Sequence, residues 1–285
     1  MVVKGTRRTD RTVEVDDRQI WVTEAGEGQP VVLLHGGGAG ATGASNYARN
    51  IDKLAERFHV IVPDMPGYGG STKRIDHSDP FGDLASFVGG LLDVLGHTSA
   101  HLVGNSYGGA AALRLTLDRP EAVKRLVLMG PGGIGTTRSV PTAGLNALLK
   151  YYGGDGPSRA KLAAFIRDYL VYDASDVSDD LIDLRYEASI DPEVVANPPL
   201  RRPAGLKALW RMDFTRDARL AKVQTPTLVL WGAHDKVNRP SGALTLAQTM
   251  PNCDAHLVSN AGHWVQWEQA DLFNSVTAEF LGTHA

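Results

Sequence analysis

Ala100-His101-Leu102-Val103-Gly104-Asn105-Ser106-Tyr107-Gly108-Gly109-Ala110-Ala111-Ala112 is the stretch whose reading decides the fold. A short apolar run meets a glycine, a serine follows two residues later, and an alanine-rich segment continues to Leu117 before Asp118-Arg119-Pro120 stops it. Gly-x-Ser-x-Gly between a strand and a helix predicts a sharp turn that lifts the serine oxygen clear of the backbone. Gly104 and Gly108 are needed there because a Cβ at either place would crowd the turn. The helix start beneath the serine adds backbone N–H groups and positive dipole, useful where an oxyanion develops.

Working outward, β-rich apolar runs recur: Thr12–Val15, Gln19–Ala25, Val31–Leu34, His59–Asp64, Ala100–Asn105, Arg125–Gly130, Thr227–Gly232 and Ala255–Asn260. Most stop at Gly, Pro, Asn or Asp. The first two alternate around Asp16-Asp17-Arg18 and predict an edge hairpin. The later runs are continuously apolar, as for central parallel strands covered on both faces. Helical periodicity between them, as in Phe81–Leu95, makes a βαβ rhythm and predicts a doubly wound, mostly parallel α/β sheet. From Gly135 to Asp217 the rhythm breaks into helices without a convincing strand. This predicts core segments at 1–134 and 218–285 around an insertion at 135–217, a lid over the C-terminal edge of the strands where such sheets bind ligands. The alternative is a helical layer on the side of the sheet.

The composition of this 285-residue chain is that of an ordinary globular protein, 43% hydrophobic and 21% charged. Lys+Arg 29 against Asp+Glu 32 leaves a net charge of -3 with no dense basic run, which argues against nucleic acid as a partner. Cys253 is the only cysteine, so no internal disulfide or Cys-based metal site is expected. Neither a membrane span nor a signal peptide is expected from the apolar runs or from the polar first 17 residues. A cytosolic protein follows as the expectation. The oligomeric state stays open, a homo-oligomer included.

A serine hydroxyl is a weak nucleophile without a base, and nine histidines compete for that part. Chains with this serine turn take their triad in the order Ser, Asp or Glu, His, which sets aside His35, His59, His77, His97 and His101. His263 is best placed, in the loop Ala261-Gly262-His263-Trp264 after a strand. His234 and His256 lie in or beside strands and His284 in the tail. The acid should follow the preceding strand, and Asp235 does so, where it could fix the imidazole tautomer. Asp213 and Asp217 precede the strand. His35-Gly36-Gly37-Gly38 closes Val31–Leu34, and its glycines let backbone approach a substrate oxygen. Gly37 and Tyr107 N–H are thus the expected oxyanion donors. The Gly-rich turn lacks a Gly-Lys-Ser/Thr ending, and no dinucleotide fingerprint is convincing, so no cofactor or metal is expected.

With these residues assembled, the chain resembles the α/β-hydrolase superfamily over nearly its whole length, Asp64-Met-Pro-Gly67-Tyr-Gly69-Gly-Ser71 included. Within it, further stretches are similar to the meta-cleavage product hydrolases: His35-Gly-Gly-Gly-Ala-Gly-Ala, Ser45-Asn46-Tyr47-Ala48-Arg49-Asn50, Leu128-Met129-Gly130-Pro131-Gly132-Gly133, Leu184-Arg185-Tyr186-Glu187 and Gly262-His263-Trp264. The resemblance implies hydrolysis of a carbon–carbon bond in a dienoate ring-fission product of aromatic or steroid degradation. It implies Ser106, Asp235 and His263 as triad, Gly37 and Tyr107 as oxyanion donors, and Asn46, Asn105, Arg185 and Trp264 as the polar subsite for the dienoate end. Ala39 stands where proline is common, and Tyr107 where Met or Leu is more usual, which bears on the pocket's shape.

That chemistry expels carbon, so the 2-hydroxy-6-oxo-dienoate must be ketonised and the departing enolate held. Arg185 suits the clamp because its fork matches a carboxylate. His263 would move a proton in ketonisation and then activate Ser106 or water for attack at C6. Whether an acyl intermediate forms is left open. Without the resemblance, Arg185 reads as an exposed lid residue pairing with Glu187 or Asp183. A carboxylesterase or lactonase shares every triad argument without needing Arg185. A ligand receptor on this scaffold is a further class. Dehalogenases and epoxide hydrolases use Asp where Ser106 stands. Leu145, Phe165, Tyr169, Trp210, Met212 and Phe214 suggest a large apolar group, phenyl or steroidal, at C6.

Overall fold

Apolar side chains on strands buried from both sides dictate the architecture. In the computed structural model, which describes Arg8 to Thr283, every residue of β3 (Pro30–Leu34), β5 (Ala100–Asn105) and β7 (Thr227–Gly232) is buried. Along β3, Val32 and Leu34 enter one core while Val31 and Leu33 enter the other. A continuous apolar run is therefore two alternating faces, each covered by helices. The first core is shared with Leu84 and Phe87 of the helix Pro80–Val94 and with the alanines of Ser106–Asp118. Ile51, Leu54 and Phe273, the last in Ala270–Gly282, belong to the second.

The remaining strands are β1 (Arg8–Val15), β2 (Arg18–Ala25), β4 (His59–Pro63), β6 (Val123–Met129) and β8 (Cys253–Val258), in the order β1-β2-β4-β3-β5-β6-β7-β8. β1 to β2 and β2 to β4 are antiparallel, and every other pairing is parallel. Chain order reverses between β3 and β5: β4 lies outside β3, and the next strand returns to its other side. That switch point leaves a crevice at the strands' C-terminal ends, and the His35 and Ser106 turns flank it.

One strand departs from its expected place. β8 ends the sheet, with Leu257 61% exposed and only Val258 buried. Apolar letters alone do not tell a covered strand from an edge strand, since the missing neighbour is a tertiary fact.

Between β6 and β7 the chain is helical: Ala143–Leu149, Arg159–Ala164, a π-helical turn Phe165–Leu170, Asp179–Ser189, Pro192–Ala196 and Gly205–Arg211. Leu162, Ile166, Val171 and Ile182 form a core of their own, which includes Trp264 and Trp267 from the His263 loop. Among the described residues no helix is long and apolar enough to cross a membrane. The first residues of the polar N-terminus, and His284, lie outside the described range.

Candidate active site

Gly104 and Gly108 allow the turn after β5. A Cβ on Gly104 would come within 2.6 Å of the Gly108 carbonyl oxygen, and one on Gly108 within 2.3 Å of Leu34's. Ser106 between them has φ 54°, a left-handed conformation that costs an L-residue about 1–2 kcal/mol. It opens the helix Ser106–Asp118, so the Tyr107 N–H has no carbonyl a turn earlier to bind. A Cβ on Gly37 would lie 3.1 Å from that of Tyr107, which puts the two proposed oxyanion donors on adjoining backbone.

The turn after β3 is held from beneath. His35 Nδ1 lies 2.9 Å from the Gly36 carbonyl, and Nε2 accepts the Met65 N–H at 2.9 Å. These contacts fix a neutral tautomer, and burial lowers the pKa. His35 is thus a brace between two loops, consistent with its exclusion as base. The Tyr68 hydroxyl donates to the Gly37 carbonyl at 3.1 Å.

Asp235 and His263 meet as expected, with Nδ1 donating to Oδ2 at 2.7 Å and both side chains almost fully buried. The carboxylate also accepts from Trp231 Nε1 at 3.0 Å, Val237 N at 2.8 Å and Asn238 N at 2.9 Å. Four donors leave it little freedom to turn. The His263 N–H is tied to the Leu170 carbonyl at 2.8 Å, where the π turn ends. His263 Nε2 is buried and has no hydrogen-bond partner, so a bond to Ser106 is not formed here. Such bonds are often long before substrate binds.

Ser106 lies where two cavities adjoin. The smaller, about 10 Å³, brings together Gly37, Asn46, Asn105, Arg185, His263 and Trp264, all singled out in the sequence, and carries the site's polar side chains. Arg185, from Asp179–Ser189, is 2% exposed. Its Nε and one Nη donate to the Ala39 carbonyl at 3.2 and 3.0 Å; any residue at that position would offer the same oxygen. Gly40 permits the approach, because at φ 64° its Cβ would collide with the Arg185 carbonyl. Among the described residues Arg185 has no carboxylate partner, and Asp183 pairs with Arg159 instead. The exposed, paired Arg185 of the alternative reading is therefore overturned: its helix turns this residue inward. Burial brings the guanidinium down to about 10, so it stays cationic at neutral pH. It sits 5.6 Å from the Trp264 ring, which stacks on Trp267 at 5.1 Å.

Asn46 accepts from Gln266 Nε2 at 2.7 Å, and its own amide nitrogen has no acceptor among the described residues. Asn105 spends its amide on the Met129 and His263 carbonyls, at 3.3 and 3.2 Å. Its part here is to hold the two loops together.

The larger cavity, about 650 Å³, runs from Ser106 and Tyr107 beneath the inserted helices. Of the six residues expected to shape it, Leu145 and Met212 line it. Phe165 lines the polar pocket instead, and Tyr169 packs against the insertion's own core. Trp210 is 52% exposed, and Phe214 stacks on Phe81 in the sheet core. Apolar lettering could not sort these destinations.

Comparison with known proteins bears on this arrangement. The model of the alpha/beta hydrolase fold family matches residues 29–270. A 2-hydroxy-6-oxo-6-phenylhexa-2,4-dienoate hydrolase of Burkholderia cepacia is 38% identical over 268 residues, 92% of this chain and 91% of the relative. A 2-hydroxy-6-oxononadienedioate/2-hydroxy-6-oxononatrienedioate hydrolase of Comamonas testosteroni is equally similar, at 38% over the same shares. The structure of a meta-cleavage product hydrolase from Pseudomonas fluorescens IP01 matches with a TM-score of 0.83 and 33% identity, over 95% of this chain and 96% of that one. The chain belongs to the α/β-hydrolases, among the meta-cleavage product hydrolases. In this hydrolase the sequence reading missed Gln266 and Trp231, and it quoted Tyr68 only within the Asp64–Ser71 loop; the three orient Asn46, Asp235 and Gly37. No spacing signals them; Gln266 is one polar letter in an apolar turn.

Proposed function

We propose that this meta-cleavage product hydrolase breaks the C5–C6 bond of a 2-hydroxy-6-oxohexa-2,4-dienoate-type ring-fission product, giving 2-hydroxypenta-2,4-dienoate and a carboxylic acid in aromatic or steroid catabolism. The observation that carries this reading is Arg185, a buried guanidinium without a carboxylate partner among the described residues, in the pocket that holds Ser106 and His263. An uncompensated buried charge costs several kcal/mol. A substrate carboxylate would offset that cost, and a simple ester would not.

In this proposal the dienoate end lies in the polar pocket, its carboxylate and 2-oxo group against Arg185, with Asn46, Asn105 and Trp264 around it. C6 rests over Ser106, its oxygen facing the Gly37 and Tyr107 N–H groups, and the C6 substituent enters the larger cavity. His263, its tautomer set by Asp235, moves a proton during ketonisation and then activates Ser106 or water for attack at C6. Residues 135–217 act as the lid, between core segments 1–134 and 218–285. No metal or cofactor takes part. The cytosolic location stays part of the proposal, in keeping with a single cysteine.

The test is Arg185→Ala assayed on a dienoate and on a neutral aryl ester. A hydrogen bond to a charged group is worth roughly 1.5–3 kcal/mol, so the dienoate kcat/KM should fall about ten- to 150-fold further than the ester's. Misfolding would lower both alike. Equal losses would return a carboxylesterase or lactonase to first place.

A further inference from the structure

The larger cavity carries a charge that the carbon–carbon cleavage does not use. Its lining includes Arg138, Arg201, Arg202 and Arg239, and no Asp or Glu. The four come from three places: the loop after β6, the segment before Gly205–Arg211, and the loop beyond Asp235. All are exposed, so they make the cationic mouth of a cavity whose walls, Leu149 and Leu209 among them, are largely apolar.

Their partners differ from those of the chain's ion-paired arginines. Arg114, Arg119, Arg159 and Arg219 each meet two carboxylates. Among the described residues the four at the mouth meet none. Arg201 donates to Asn197 Oδ1 at 2.7 Å, Arg202 to Asn146 Oδ1 at 2.9 Å and Arg239 to the Val140 carbonyl at 3.1 Å. Neutral acceptors orient a guanidinium while leaving its charge uncancelled, and its fork suits a carboxylate.

We propose that the C6 substituent of the natural substrate is a large apolar chain or ring system ending in a carboxylate, which these arginines hold at the cavity mouth. The inference rests on the function proposed above and adds the class of substituent. At about 650 Å³ the cavity is within the ~300–1,000 Å³ range of sites for drug-sized ligands. Such a substituent would put its apolar body against the leucines and its charge at the rim. The product released from this side would then be a dicarboxylic acid.

The experiment uses two dienoates with the same long C6 chain, one ending in a free carboxylate and the other in its methyl ester. Each is assayed with wild type and with Arg202→Gln/Arg239→Gln; these residues are exposed and their loss should leave the fold intact. Wild type should prefer the carboxylate. The double variant should reduce that preference roughly three- to tenfold, since exposed charge pairs are individually weak. Raised salt should reduce it as well. A general funnel for anionic dienoates would lower both substrates equally and leave the ratio unchanged. That result, or no wild-type preference, overturns the proposal. Turnover of the methyl ester by wild type reports separately on the dienoate reading, and turnover of neither substrate would remove both.

Discussion

Ser106 concentrates the local chemistry of the site. Its φ of 54° is unfavourable for a residue with a Cβ, and glycines on both sides make it sterically possible. Replacing Ser106 by alanine removes the hydroxyl while keeping the same backbone demand, so the fold and dienoate binding should survive. Turnover should fall by about 10⁶ in kcat, because members of such a triad act as a unit. Single-turnover decay of dienoate absorbance, measured beside binding, checks this, and a variant within about tenfold of wild type would show the nucleophile misassigned. The serine was legible because its turn has a sequence signature. The three further donors to Asp235 were not, since Trp231, Val237 and Asn238 acquire that task only when the chain turns after β7.

At the scale of elements, the entry to the inserted helices hangs on Asp213, 2% exposed. Its carboxylate accepts five hydrogen bonds, from the backbone and hydroxyl of Thr137 and of Thr215 and from the Gly135 N–H. Burial works to raise its pKa, yet the Thr137 and Thr215 bonds hold it below 3.8 overall. A depressed carboxylate stabilises the fold above its unfolded pKa and loses that contribution as pH falls through the folded value. Asp213→Ala should therefore cost about 1–3 kcal/mol at neutral pH. Urea unfolding of both proteins should show the gap narrowing as the pH falls through and below the ordinary carboxylate range. A gap unchanged by acid would mean that the charge is not what anchors the segment. The sequence offered Asp213 only as a rival acid for the triad, and its place before the strand set it aside there. Its structural part needed Thr137 and Thr215, far apart in the chain, to be brought together.

Over the whole molecule, stability should be uneven in a way that suits the cavity. β3 and β5 are buried throughout, whereas the helix Gly205–Arg211 has no buried residue and contributes Leu206 and Leu209 to the large cavity. Hydrogen exchange should be slowest in β3 and β5 and fastest, among the helices, in Gly205–Arg211. A bound long-tailed carboxylic acid should protect that helix; protection equal to the strands in the free protein would contradict a loosely held cavity wall. What the sequence by itself determined were features written in local spacing: the places of the strands, the elbow at Ser106, the order of Asp235 and His263, and the break in rhythm after β6. Those follow from backbone geometry and neighbouring side chains. The tertiary structure decided that β8 is an edge, that Arg185 is buried without a counter-charge among the described residues, and that apolar residues of one inserted segment divide between a cavity, the small pocket and two cores. Burial and charge pairing depend on which distant segments arrive beside a residue, and local periodicity carries no record of that.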